Sequence, residues 1–164
     1  MAKVSNMESK ETAAQQLRDL ERAEAAPYID YPPTPRWYPP AGGVFALALF
    51  AHLYAVLVHS WGGIVASLSL AALVAVELGF LYWYSRYHGA LPAPGRTPPV
   101  AEICRAYGQF LVGFVVLVVL VTGVTFLAGP IGGGVATFVL AAGGLLLYER
   151  AYASAARAAR ERLS

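Results

Sequence analysis

The chain has 164 residues, of which 57% are hydrophobic and only 13% are charged, and its formal net charge is +2. Charged residues make up about a quarter of ordinary soluble domains, so this composition excludes a soluble domain of this size and indicates a membrane protein. The small net charge and the absence of a clustered basic patch argue against nucleic-acid binding, and the single cysteine, Cys104, excludes an internal disulfide.

The first 41 residues form a polar arm that begins with a predicted short helix in the cytoplasm. Ser5 and Glu8 make an S-x-x-E capping pattern, and no glycine or proline interrupts residues 5–26. A solvated or frayed arm is the simplest interpretation, because the helix has few apolar residues. The alternative is a partner that binds Leu17 and Leu20.

The second part of the arm is rich in proline and aromatic residues. Six prolines lie within residues 27–40, interleaved with tyrosines and tryptophan, which predicts an extended segment whose rings lie among the lipid headgroups. No charged start followed by a short apolar core and a cleavage site precedes the first apolar run. That run is therefore predicted to be an uncleaved membrane anchor.

Four apolar runs follow the arm. They cover residues 42–60, 63–84, 107–128 and 131–148. A helix rises about 1.5 Å per residue, so each run can cross a hydrocarbon core about 30 Å thick. Backbone polar groups in lipid must be satisfied within their own segment, so helices are predicted even for the valine-rich third run. Gly62-Gly63 and Gly129-Pro130 predict tight turns, and hence two antiparallel hairpins at 42–84 and 107–148.

The positions of the basic residues predict the orientation. All twelve lysines and arginines lie before the first run, between the second and third, or after the fourth, and none lies in the two opposite turns. The positive-inside rule then puts both termini and the loop 85–106 in the cytoplasm. The many arginines, alanines and glycines favour a bacterial plasma (inner) membrane.

The tail 149–164 is predicted to remain helical, because it is rich in alanine and contains no helix breaker. Its apolar residues share one face that is predicted to lie on lipid or in water: Tyr152, Ala156, Ala159 and Leu163. Its arginines form a predicted surface for anionic lipid or a partner: Arg150, Arg157, Arg160 and Arg162.

Three ionisable residues lie within the first hairpin and form the candidate site. A charge at Glu77, inside its apolar run, costs about 2.5 to 3.5 kcal/mol on insertion scales. His52 and Glu77 lean toward each other along antiparallel helices, which predicts a hydrogen-bonded pair, and His59 lies seven residues from His52. The trio is interpreted either as a polar contact between helices or as a proton or cation path.

No cofactor or metal site is predicted from these residues. A haem ligand at His52 or His59 is disfavoured, because both lie on one helix and no other apolar run contains a histidine to complete bis-histidine ligation.

The second run also carries small residues at four-residue spacing: Gly63, Ser67, Ala71, Ala75 and Gly79. Such a stripe favours close packing against another membrane helix. Glu77 lies about 200° around the helix from Ala75, so this helix needs contacts on two faces. A second copy of the chain or another membrane subunit would supply them.

No catalytic motif is found in the sequence. It contains no phosphate-binding glycine loop, nucleophile elbow, His-Glu-x-x-His pattern or cysteine pair. The sequence therefore predicts an all-α, four-span, non-enzymatic protein that acts as a subunit, scaffold or regulator of a membrane complex. The alternative is a homo-oligomeric proton-coupled transporter or channel component that uses Glu77 and His52.

Overall fold

The computed structural model of the protein describes residues 2–30, 32–59, 62–88 and 100–163, and all regular structure within these ranges is helical. The helices are α1 Ala2–Ile29, α2 Tyr38–Val58, α3 Gly63–His88 and α4 Ala101–Leu163. By length and composition, α2, α3 and α4 can each cross a membrane, whereas α1 is not apolar enough. The prediction of a helical, membrane-associated protein is confirmed at this level.

Helix α4 is interrupted once, at Gly129, which divides it into a first arm (101–128) and a second arm (130–163). Gly129 has a φ of 72° and a ψ of −176°, a conformation that glycine adopts without steric cost. Pro130 follows and has no backbone N–H to donate to the preceding helix. The two arms contact each other both near the break and far from it. Near the break, Gly133 lies against Thr125, and at the far ends the rings of Phe110 and Tyr148 are 5.0 Å apart.

Helix α2 packs mainly against α4, and glycines allow the close approach. A Cβ atom added at Gly43 would lie 3.0 Å from the side chains of Ala142 and Phe138 and from the Phe138 carbonyl oxygen. One added at Gly134 would lie 3.2 Å from Leu47. The two helices are therefore closer at these positions than ordinary side chains permit.

The proline-rich segment is shorter than the sequence predicted. Helix α1 continues through Pro27 to Ile29, and α2 already begins at Tyr38. Pro39 and Pro40 occupy the first positions of α2, where a missing N–H removes no helical hydrogen bond. The end of α1 is buried against α4, and this tertiary packing outweighs the local preference of proline to end a helix.

Three parts of the chain outside the apolar runs form a buried core cluster. It joins the end of α1, the start of α4 and the end of α4: Ala25, Ile29, Val100, Ile103, Ala156 and Ala159. The prediction that the apolar face of the tail lies on lipid or in water is therefore wrong. Ala156 and Ala159 on that face are buried, and Tyr152 and Leu163 pack against the same cluster.

Polar contacts also fasten α1 to the second arm of α4. Arg160 Nη2 donates to the Ile29 carbonyl at 2.6 Å and to Asp30 Oδ1 at 2.9 Å, and the Tyr152 hydroxyl donates to the Tyr28 carbonyl at 2.9 Å. Arg22 donates to the Leu163 carbonyl. The last turn of α1 contains no basic residue, so Arg160 supplies from α4 the cation that favours a helix C-terminus.

The two ends of α4 are joined by an ion pair between Arg162 and Glu102, with an Nε to Oε1 distance of 3.0 Å. A hydrogen bond from its own backbone, followed by the bond from Arg162, lowers the pKa of Glu102 below its usual value. Within the predicted loop 85–106, α3 continues to His88 and α4 starts at Ala101. The rest of this loop, at 89–99, lies outside the described residues, and so do residues 60 and 61 before the predicted turn at Gly62-Gly63.

Replacement of Ile103 by alanine is expected to loosen the core cluster. Ile103 is fully buried, and truncation of a buried isoleucine to alanine lowers the free energy of unfolding by about 2 to 5 kcal/mol. Amide hydrogen exchange across residues 20–29, measured in detergent micelles, should then become faster. Leu17→Ala is the control, because Leu17 is 62% exposed and its truncation should leave exchange unchanged. Equal exchange in the two variants would contradict this account of the core.

Candidate functional site

Helix α3 has one packed side and one open side. Its packed side contacts α2: the rings of Trp83 and Trp37 are 4.8 Å apart, and those of Phe80 and Tyr38 are 5.4 Å apart. Its contact with α4 is at most marginal in the part of the chain that the structure describes. None of the most apolar stretch of α3 is buried. Most of its surface is therefore available to lipid or to another protein.

The stripe of small residues lies on the open side of α3. At 100° per residue, Ala71 is about 180° from Phe80 and about 160° from Ser69, the residues that contact α2. All five members of the stripe are exposed, namely Gly63, Ser67, Ala71, Ala75 and Gly79. A Cβ atom added at Gly79 would meet nothing within 4 Å. The stripe is thus left uncovered by the part of the chain that the structure describes.

Glu77 is exposed on α3, and within the described ranges its carboxyl group has neither a hydrogen bond nor an ion pair. By angle it lies between the α2 contact and the start of the small-residue stripe. A carboxylate in this position would face hydrocarbon in a bilayer, where an unpaired charge is costly. Glu77 therefore has no hydrogen-bond or ion-pair partner among the described residues.

His52 contacts Ser69 and not Glu77. The His52 Nδ1 atom is 2.9 Å from Ser69 Oγ, and the Ser69 hydroxyl donates to the Ala66 carbonyl at 3.0 Å. A hydroxyl has one proton, so its oxygen accepts the bond from Nδ1–H of His52. Glu77 is eight residues beyond Ser69, or about 12 Å along the axis. His52 thus makes a polar contact between helices, but with a partner that sequence reasoning missed.

Ser69 was missed because its pairing with His52 depends on the register of two helices. Composition and spacing do not reveal that register, because they do not fix how far one helix is shifted along the other. The sequence did offer one signal, which is that a polar residue on one helix of a predicted hairpin needs a polar partner on the other. It could not select Ser69, because Ser67 also lies near the start of α3.

His59 ends α2 and is exposed, with its ring edge-on to Tyr54 at 5.5 Å. It contacts neither His52 nor Glu77 among the described residues. Within the same residues, no three His, Cys, Asp or Glu side chains are grouped closely enough to hold a metal ion. The predicted trio is therefore not assembled into one site within a single chain.

The four tail arginines differ in their surroundings. Arg160 is bound to Asp30 and Arg162 to Glu102, so both stabilise the protein internally. Arg150 and Arg157 are exposed. Arg160 and Arg162 are exposed too, but a carboxylate balances the charge of each, whereas Arg150 and Arg157 have no ion pair among the described residues.

Aromatic residues form a layer at the end of the bundle that carries the arginines. Tyr38 contacts Tyr84 with ring centroids 6.2 Å apart, and Tyr107 contacts Tyr148 at 6.4 Å. Aromatic rings of this kind are enriched at the headgroup level of membranes. The layer joins α2 to α3, and the first arm of α4 to the second, at one depth.

A hollow of about 500 Å³ lies between α2 and the second arm of α4, near the break at Gly129. Leu47, Phe50 and Phe138 line it, and Tyr54 is its most polar side chain. None of the described residues that line this hollow is charged, so none could polarise a substrate there. It provides room without reactive chemistry.

No protein-family model matches this chain, and no curated protein or solved structure matches it either. The function must therefore be inferred from the residues themselves. The open side of α3, with its small-residue stripe and Glu77, is the feature that most needs an explanation.

A double-mutant cycle between His52→Leu and Ser69→Ala should reveal their contact. Hydrogen bonds between membrane helices contribute on average about 0.6 kcal/mol, so a coupling energy of that order is expected in the free energy of unfolding in detergent. A parallel cycle between His52→Leu and Glu77→Gln is expected to give no coupling. If the coupling energy between His52 and Glu77 exceeds that between His52 and Ser69, the register of α3 along α2 differs from the one described here.

Proposed function

We propose that this protein is a non-enzymatic subunit of a membrane complex, and that it binds a partner transmembrane helix on the open side of α3. The observation that carries the proposal is that the small-residue stripe and Glu77 are both exposed on a helix that, among the described residues, packs mainly against α2. Small residues at four-residue spacing suit close helix packing in lipid, where apolar side chains gain little from leaving their surroundings.

Glu77 defines the chemistry of the proposed partner. A carboxylate facing lipid costs about 2.5 to 3.5 kcal/mol, and a cation or hydrogen-bond donor at the same depth would offset much of this cost. The partner is therefore a membrane helix with small residues facing the stripe and a basic or amide side chain near Glu77. A second copy of the chain would instead bring its own Glu77 close to this one, and two carboxyl groups match each other poorly in charge.

The proposal includes four crossings with both termini in the cytoplasm of a bacterial cell. Support comes from the break at Gly129, since the two arms of α4 each contain an apolar run. Further support comes from the aromatic layer and the basic residues, which occur at the same end of the helices. The remaining end has no lysine or arginine in either turn.

The alternative of proton-coupled transport has less support. It was based on a His52 and Glu77 pair, and His52 instead contacts Ser69. No chain of ionisable groups links Glu77 to either end of α3 among the described residues. The subunit proposal accounts for the stripe as well as for the carboxyl group, so we favour it.

Gly79→Leu is expected to abolish co-purification of the partner, because the new side chain would project into the close helix contact. The position has open space around it, so the chain itself should remain folded. Glu77→Gln is expected to weaken the association to a smaller extent, since an amide still forms hydrogen bonds. Gentle detergent extraction followed by mass spectrometry of bound proteins measures both effects.

Gly113→Leu is the matched control, because Gly113 also has nothing within 4 Å but lies on α4. It should retain the partner. If the wild-type chain is monomeric and co-purifies with nothing, the subunit proposal fails. If Gly79→Leu purifies with an undiminished partner, the contact is not on α3.

Cysteine labelling tests the orientation. In a Cys104→Ser background, Gly62→Cys is expected to react with a membrane-impermeant maleimide. The reagent is applied to cells whose outer membrane or cell wall has been permeabilised and whose plasma membrane is intact. Ser154→Cys should react only after the plasma membrane is permeabilised, because the proposed topology has the tail in the cytoplasm. The opposite pattern would invert the proposed topology.

A further inference from the structure

An arginine and a tyrosine are paired in the same way at one end of every apolar helical segment. In each pair a single residue separates the two, and the arginine is the one further from the apolar run. The pairs are Arg36 with Tyr38, Arg86 with Tyr84, Arg105 with Tyr107, and Arg150 with Tyr148. We call these four arginines the arginine collar.

The tyrosines bring the arginine collar to one level. Tyr38 contacts Tyr84, and Tyr107 contacts Tyr148, as described above. Close packing of α2 against α4 joins the two pairs into one layer. Two residues of helix advance by about 3 Å along the axis. The collar therefore lies just outside the aromatic layer, where lipid phosphates would be found.

The collar arginines are exposed, and none of them makes an ion pair within the described residues. The acidic groups nearest in the chain to Arg36, Arg105 and Arg150 have other partners, and Glu77, the nearest to Arg86, lies nine residues away within the apolar run. Asp30 binds Arg160, Glu102 binds Arg162, and Glu149 accepts a hydrogen bond from Thr34 at 2.5 Å. Arg86 lies over the ring of Tyr82 at 5.9 Å, a cation–π contact that involves no anion. Arg105 helps to lower the pKa of Glu102, but the ion pair of Glu102 is made with Arg162. The four cations at this depth therefore have no ion-pair partner among the described residues and can bind an external anion.

We propose that the arginine collar binds the phosphate groups of anionic phospholipids in the cytoplasmic leaflet. A guanidinium group is planar and donates two parallel hydrogen bonds to a phosphate, which suits it to lipid headgroups. The tyrosines beneath it would rest at the boundary between headgroups and acyl chains. This inference rests on the proposed membrane crossings, but it is independent of the proposed partner helix.

The proposal divides the arginines of the tail into two groups. Arg160 and Arg162 are held by carboxylates of the same chain, so they are not part of the lipid site. Arg150 belongs to the collar, because it stands next to the aromatic layer. Arg157 is exposed but lies seven residues further along the helix, about 10 Å from the level of Arg150.

The test compares two variants that each remove two positive charges. The collar variant is Arg36→Gln with Arg150→Gln, and the control is Arg18→Gln with Arg157→Gln, both exposed and away from the collar. Native mass spectrometry of detergent-purified protein titrated with phosphatidylglycerol gives the dissociation constants. Each collar arginine removed is expected to weaken binding about fivefold, so the collar variant should lose roughly 25-fold.

The control variant is expected to bind phosphatidylglycerol within about twofold of the wild-type chain, and phosphatidylcholine should bind all three proteins alike. Thermal unfolding in phosphatidylcholine should confirm that both variants are folded. Undiminished phosphatidylglycerol binding by the collar variant, or an equal loss in the control, would overturn the inference. Neither result would change the co-purification of a partner. Failure of the lipid site can therefore be distinguished from failure of the subunit proposal.

Discussion

The close contact between α2 and the second arm of α4 is the interaction on which the rest of the structure depends. It is made where Gly43 lies against Ala142 and Phe138, with no room for another side chain. In lipid, apolar surface alone does not drive helices together, so tight van der Waals contact has to do so. Helix α3 is attached to this pair through α2, and α1 through the two ends of α4. A shift in the central contact would therefore move both.

The sequence predicted those features that depend on local chemistry. Gly129 and Pro130 indicated a break in the helix, because glycine allows a positive φ and proline lacks a backbone N–H donor. Gly129 does have a φ of 72°. The long apolar runs predicted helices, because backbone groups in lipid have no other partners. Both inferences need only neighbouring residues and the solvent.

Features that depend on register or on distant packing were not predictable. His52 was expected to meet Glu77, but a shift of helix α3 along α2 brings Ser69 into contact instead. The tail was expected to lie free or on lipid, yet its alanines pack on Ile29, more than a hundred residues earlier. An apolar helix face in the sequence indicates that the face is shielded from water. It does not indicate whether lipid or another part of the chain shields it.

The core cluster also constrains the order of events during synthesis. Tyr152 binds the carbonyl of Tyr28, a separation of 124 residues. At about 5 to 20 residues per second, a ribosome needs roughly 6 to 25 s to make that stretch. During this interval, the end of α1 has been made but the surface that buries Ile29 is incomplete, because Ala156 and Ala159 have not been added. The nascent chain must therefore keep an apolar helix end soluble until translation reaches the last turns of α4.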